Sequence, residues 1–245
     1  MSEFKNNIFN KMNLSNAQTI LDLGCGHGKQ LMDLYKLKDN NIQLFGIDKI
    51  EKSIKISEEK TKNIDEITIK KHDVTEGIPF DDNFIDIAFS INMLECIPDK
   101  HSLLEEIHRV LKLEGQIVMA HYDFDTQLFD GTDKKLVRKI VTSYSDWEQN
   151  WMDASDSWMG RRLWSVINGS GLFHGEVDAY VLTETKYTKN SYGYNMVKAF
   201  QGMVSKEMIT EEEYKKFKND IEKLSDEDRY FYSLNMYVYT GKKVS

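Results

Sequence analysis

Proline and cysteine are scarce in this chain: its 245 residues include two of each. With Pro79 and Pro98 alone there is no proline-rich linker and no hinge marked by sequence. Cys25 and Cys96 lack the paired spacing of a metal or redox motif, so free thiols in a reducing cytosol are expected and no metal site is assigned. Long apolar runs are missing too. The longest, around Ile85 to Leu94, is broken by Asp86, Ser90 and Asn92, so no segment is expected to span a bilayer. The opening stretch MSEFKNNIFNKM has no apolar centre of a secretory signal, and the expected location is cytoplasmic. Basic charge is in deficit: 32 Lys and Arg against 40 Asp and Glu leave a net charge of −8 and a pI near 5.3. That balance argues against a nucleic-acid surface. The lysines between Lys49 and Lys71 are interleaved with glutamates and read as a solvated helix face.

What the chain does have is enough apolar content, 40%, to bury a sizeable core in one domain with a generous insertion or lid. Its organising stretch is Thr19 to Gln30, TILDLGCGHGKQ. Thr19 to Leu23 has the β-branched and apolar content of a buried parallel strand, with Asp22 its one charge. Gly24, Gly26 and Gly28 follow on alternate positions, and Lys29 to Leu37 reads as a helix. Strand, glycine turn and helix form the nucleotide-side entrance of a doubly wound sheet, where the backbone turns sharply and a ligand comes close. The third glycine of the dinucleotide fingerprint would fall at position 29, which is Lys29, so the nicotinamide reading loses its helix-packing glycine.

The alternation continues. Ile42 to Asp48 reads as a second strand, Ser53 to Lys62 as a helix, and Glu66 to Lys70 as a short third strand. Phe84 to Ile91, nearly all apolar, suits a central fourth strand. Lys100 to Leu111 shows helical periodicity, and Gln116 to Tyr122 is the fifth strand after the Glu114-Gly115 turn. The second half differs in kind, with all four tryptophans between positions 147 and 164. Helices are expected over Lys134 to Gln149, Trp158 to Asn168 and Ser191 to Ser205. Thr210 with Glu213 marks a capping box opening a helix to about Leu224. Val177 to Thr185 and Arg229 to Thr240 read as strands six and seven.

An acid ahead of a G-x-G-x-G turn resembles motif I of the class I S-adenosylmethionine-dependent methyltransferases. Three further features fall in the same order. Asp48 closes strand two about 20 positions past Gly28, where a carboxylate can accept ribose hydroxyls. Asp73-Val74 follows strand three. The stretch Ser90 to Glu95, with the later RVLKLEG turn at 109–115, is similar to the ubiquinone- and menaquinone-type branch and its small-molecule relatives. Together these cover roughly residues 17–122. The resemblance implies a Rossmann-like α/β fold: a doubly wound seven-stranded sheet, mostly parallel with the last strand antiparallel, and a helical lid after strand five. The implied division is 1–122 for the cofactor half, 123–174 for a helical acceptor-binding insertion, and 175–245 for the strands that complete the domain.

It also implies S-adenosyl-L-methionine as cofactor. The glycine turn would pack on the methionine portion, Asp22 would lie near its amino group, Asp73 would meet the adenine amino group and Val74 would cover the ring. Cys25, Gly28, Lys49, Ser90 and Asn92 complete the expected cofactor set. Cys25 reads as a small residue that fits the turn, and Asp86 as a structural acid facing backbone amides.

Acceptors bind beyond the carboxyl ends of strands four and five. There His121 is either a general base or a packed histidine, and Asp123 is its companion candidate. Glu95, Tyr122, Asp125, Trp147, Trp151, Trp158 and Arg161 are candidate acceptor contacts; the tryptophans are either lid core or a stacking wall. Trp147 and Trp151, four apart, are expected to share a helix face. His174, Tyr192 and Tyr194 are weaker candidates, and His27 either touches the cofactor carboxylate or fills the glycine turn. The expected activity is transfer of a methyl group to a small, aromatic or heterocyclic acceptor, by a monomer or homodimer with no nucleic-acid or membrane partner. Two rivals remain: a protein or RNA methyltransferase, and a non-catalytic cofactor-binding protein.

Overall fold

The computed structural model describes residues 8–37, 42–149 and 152–244. β1 (Thr19–Leu23) is buried along its whole length, which requires a strand on each side and a layer on each face. β2 (Gln43–Asp48) and β4 (Ile85–Ile91) flank it in parallel, with β3 (Ile67–Lys71) outside β2 and β5 (Leu111–Tyr122) outside β4. β8 (Tyr232–Lys243) then runs antiparallel to β5, with Gln116 opposite Lys242 and Tyr122 opposite Met236. β7 (Phe173–Glu184) pairs with β8 along twelve positions.

Seven of these strands are the ones expected, and the antiparallel one is the last in sequence. Among the described residues there is an eighth. β6 (Leu128–Phe129) takes up the edge of β8 beyond the end of β5, at Ser233 and Tyr232. Two residues are too short a run to show a strand period, so only the tertiary pairing reveals it. β5 also begins earlier than the apolar run from Gln116, because Leu111 already pairs with Ile85 and the register shifts before Ile87 meets Gln116.

Helices cover both faces. α1 (Lys29–Leu37) and α2 (Glu51–Thr61) supply Leu31, Leu34 and Ile54 to a core with Ile20, Phe89 and Val118. On the other face α3 (Lys100–Val110), capped by Asp99 on the Ser102 N–H at 3.0 Å, buries Leu103, Leu104 and Ile107. α5 (Met159–Ile167) packs into that same core through Met159, Leu163 and Ile167. Asp86 accepts the Gln18 and Thr19 N–H groups at 3.0 and 2.9 Å and pairs with Lys112, the structural role expected of it.

A third core stands on the N-terminal half of β8. It joins α4 (Lys134–Ser145), α6 (Tyr192–Val204) and α7 (Glu211–Asp226) around Ile140, Phe200, Phe217 and Tyr232. The helical layer therefore draws on both sides of the expected boundary at 174, while α5 serves the sheet. α7 opens with the expected capping box, Thr210 and Glu213 exchanging bonds of 2.9 and 3.1 Å. α4 is shorter than expected: Asp133 caps its start and the helix ends at Ser145, four residues before Gln149. Trp147 thus lies past its end, and Trp151, its expected partner on a shared helix face, is outside the described residues.

Candidate active site

The glycine turn is tied to β2, since the Gly24 and Cys25 N–H groups both donate to the Ile47 carbonyl at 2.9 and 3.0 Å. Gly24 has φ +74°, and a Cβ there would come 2.8 Å from Met93 Cγ. Gly26 has φ +52° and nothing within 4 Å of where a Cβ would stand. The Asp48 carboxylate spans the gap from the turn to α2, accepting the Gly26 N–H at 2.9 Å and the Ile50 N–H at 2.8 Å on separate oxygens. Asp73 accepts the Thr75 N–H at 3.0 Å and its hydroxyl at 2.8 Å on one oxygen. Those bonds, the backbone N–H foremost, hold Asp73 below the usual carboxylate range.

Asp48, Lys49, Asp73, Val74 and Asn92 line one cleft with Gly24. Asn92 adopts φ +59° and fastens the end of β4 to β5, accepting the Tyr122 N–H at 2.9 Å while its own N–H donates to the Ala120 carbonyl at 3.0 Å. Lys49 reaches across to Asp153 of the segment before α5, and that ion pair raises its pKa. Ile50, His72, Met93, Cys96 and Ile97 also line the cleft. Sequence reasoning missed these five. Ile50 and Met93 follow recognised residues, and that adjacency was the signal available.

Cys25, Gly28 and Ser90, also expected at the cofactor, face packing neighbours. Cys25 turns into the core toward Gly46, and burial pushes its thiol up. A Cβ on Gly28 would stand 2.3 Å from Ser57 Oγ, so this glycine lets α2 approach the turn instead of lining the cleft. Ser90 is buried with its hydroxyl on the Leu23 carbonyl at 2.8 Å, binding β4 to β1. Asp22 is buried within β1. His27 is exposed at the turn and His174 on β7.

Beyond the ends of β4 and β5 the structure gathers Glu95 and His121. His121 is 1% exposed; its Nδ1 meets the Tyr122 carbonyl at 2.7 Å, so that nitrogen carries the proton, and Nε2 has no hydrogen-bond partner. Glu95 Oε2 lies 3.9 Å from that Nε2. Burial, reinforced by the Asp156 carboxylate, pushes the Glu95 carboxyl up to about 8. Burial pushes the His121 imidazole down to about 4. At neutral pH the imidazole is therefore uncharged, and of the two readings left open for His121 its burial matches the packed one.

Asp123 is not free for catalysis. Fully buried, it takes a two-pronged contact from Arg161, whose Nη2 lies 2.6 Å from Oδ1 and whose Nε meets Oδ2. Arg161, expected to contact the acceptor, is spent on Asp123 and Asp125 and lies over the Trp158 ring, 4.5 Å from its centroid. Trp158 itself is 42% exposed. These four residues lock the start of α5 to the end of β5, where Gly160 lies so close that a Cβ would be 3.0 Å from Asp123. Trp147 packs on Gly202 of α6 and beside Tyr144, a lid-core position. Tyr122 stays with the site, its ring 5.0 Å from Tyr192.

A parallel sheet with a glycine turn after its first strand, and acids after the second and third facing one cleft, defines a nucleotide-cofactor site of the doubly wound class. The profile of the methyltransferase domain matches residues 14–188, and the chain belongs to that family, the class I S-adenosylmethionine-dependent methyltransferases. It is similar to demethylmenaquinone methyltransferase of Staphylococcus epidermidis, 30% identical over 115 residues, 47% of each chain. It is also similar to sterol 4-C-methyltransferase strm-1 of Caenorhabditis elegans, 32% identical over 46% of this chain and 33% of that one. The chain spans less than half the length of these curated relatives. Its fold is that of the Bacillus subtilis YcgJ protein, with a TM-score of 0.64 at 14% identity over 98% of each chain. Phosphoethanolamine N-methyltransferase 2 of Haemonchus contortus, solved with S-adenosyl-L-methionine, aligns with all of this chain and 53% of its own at a TM-score of 0.59 and 17% identity.

Proposed function

We propose that this chain transfers a methyl group from S-adenosylmethionine to a small aromatic or heterocyclic molecule. The carrying observation is the cleft in which Gly24, Asp48 and Asp73 meet, opening beside a buried Glu95–His121 pair. The residues fit the cofactor. The space left open at Gly26 admits a ligand against the backbone, Asp48 keeps further acceptor capacity for ribose hydroxyls, and the second oxygen of Asp73 is available to an adenine amino group. When bound, the cofactor supplies a sulfonium-activated methyl group.

The chain's own residues position and shield. Val74 offers an apolar wall for a flat ring, and Asn92 fixes the loop after β4 at the cleft's edge. α4 and α6 pack with Tyr122 at the end of β5, and Glu95 and His121 are kept out of bulk water. Glu95 is the group able to hold the acceptor's proton near neutral pH. A small acceptor is supported by this enclosure, by the acidic surface, and by relatives whose names specify a menaquinone precursor and a sterol.

The test is to incubate the protein with methyl-labelled cofactor and a cell extract split by ultrafiltration. Label is expected in the small-molecule filtrate. Label confined to retained protein or RNA would overturn the reading.

A further inference from the structure

The surroundings of Glu95 narrow the chemistry of the acceptor. Glu95 is 6% exposed, and among the described residues no Lys or Arg pairs with it. Lys100, whose charge acts on it from a distance, gives its Nζ to the Ile97 carbonyl at 2.9 Å. The other charged neighbour is the Asp156 carboxylate, itself paired with Arg162. On its remaining sides lie neutral His121 and the Cys96 thiol. The lid adds Tyr144 from α4 and Tyr192 from α6, whose phenols both feel the Glu95 charge. Tyr122 stands 5.0 Å from Tyr192 with the rings tilted by 50°. Glu184, which accepts the Tyr192 and Gly193 N–H groups at 2.7 and 2.8 Å, adds a further carboxylate behind the rings. A buried acid with no cation of its own, 3.9 Å from an imidazole nitrogen that has no hydrogen-bond partner and in the company of half-buried tyrosines, is placed to take a proton from a ligand that carries one on nitrogen.

We propose that the acceptor is a small molecule carrying a basic nitrogen, seated against Glu95 and the rings of Tyr122, Tyr144 and Tyr192, and that Glu95 holds its proton during transfer. This rests on the methyltransferase reading above. The carboxyl and the nitrogen share one proton. With the proton on Glu95, the nitrogen lone pair is free to form the N–C bond to the donor methyl. The C–S bond breaks and its electron pair stays on sulfur. The product leaves as the methylated ammonium ion, and Glu95 releases its proton to water.

The tyrosines report on the competing chemistry. Burial first, then the carboxylates Glu184 and Glu95, push Tyr122 and Tyr144 each up to about 12. A phenol or quinol placed among them would be held protonated in the same way and would attack poorly. A nitrogen that becomes cationic on methylation gains from the ring faces and from the Glu184 carboxylate behind them.

The experiment uses the full chain, methyl-labelled S-adenosylmethionine, and arylalkyl amines and imidazoles set beside phenols and catechols of matched size. Label is expected on nitrogen probes only. Glu95→Gln should lower kcat/KM for the best nitrogen probe by about 100-fold or more, with an unchanged thermal shift from S-adenosylhomocysteine. Label on phenols instead, no labelled nitrogen probe while S-adenosylhomocysteine still stabilises the protein, or wild-type turnover in Glu95→Gln would each overturn the proposal. Failure of S-adenosylhomocysteine to stabilise the wild-type chain would overturn the methyltransferase reading, and the proposal with it.

Discussion

His121 Nε2 lies 3.9 Å from Glu95 Oε2 with both side chains buried, and the two titrations move in opposite directions. Glu95 has a raised folded pKa, so its contribution to stability is full below its unfolded value and is lost as pH rises through about 8. His121 has a depressed one, so its contribution is full above its ordinary 6.5 and is lost as pH falls toward about 4. The ligand-free protein should therefore be most stable near pH 6. At pH 9, Glu95→Gln should recover roughly 2–4 kcal/mol of the carboxylate's burial cost, an effect that shrinks as pH falls and vanishes near the ordinary carboxyl pKa of 4.5. Thermal unfolding from pH 4 to 9 checks this; parallel curves for the two proteins would refute it.

Asp123 and Arg161 predict a purely structural phenotype. Asp123→Ala leaves Arg161 only its 3.4 Å contact with Asp125 at the start of α5, and because that guanidinium is partly exposed the cost should be about 1–3 kcal/mol, below that of a fully buried pair. Denaturant midpoints should fall while affinity for S-adenosylhomocysteine holds. A weakened cofactor affinity at unchanged stability would reverse the assignment.

Gly24 and Gly26 should respond differently to alanine. Gly26→Ala adds a methyl group to open space in the left-handed region, costing roughly 1–2 kcal/mol of stability but intruding where the cofactor approaches. Affinity for S-adenosylhomocysteine should drop about tenfold or more, a loss of ~1.4 kcal/mol or more. Gly24→Ala adds a collision with Met93 to the same backbone strain and should lose more stability. Calorimetry and thermal unfolding on both variants separate the two effects.

The alternation of strands and helices through residue 122 was legible because β1 and β4 are nearly continuous apolar runs and α3 has a clear helical period. Asp48 was legible from its place at the end of strand two and Asp73 through the family resemblance, and both line the cleft. Direction was not. Cys25, Gly28 and Ser90 belong to the right turn and strand, yet each faces a packing neighbour, and only tertiary geometry decides that. In the second half, Asp123 read as a catalytic candidate and Asp125 and Arg161 as acceptor contacts because a sequence does not show that Asp123 and Arg161 satisfy each other across 38 positions. Glu95 read as an acceptor contact. Its protonation follows from burial, which composition does not reveal.

The central claim is that Asp48 and the cleft it closes hold the sulfur nucleoside. The direct measurement is calorimetric titration of S-adenosylhomocysteine into the wild-type chain and Asp48→Ala, with NAD as the comparison ligand. Saturable binding by the wild type, a loss of about 1–3 kcal/mol in the variant and no binding of NAD are predicted. Equal affinity in the two proteins, or binding of NAD in place of the sulfur nucleoside, would contradict the account.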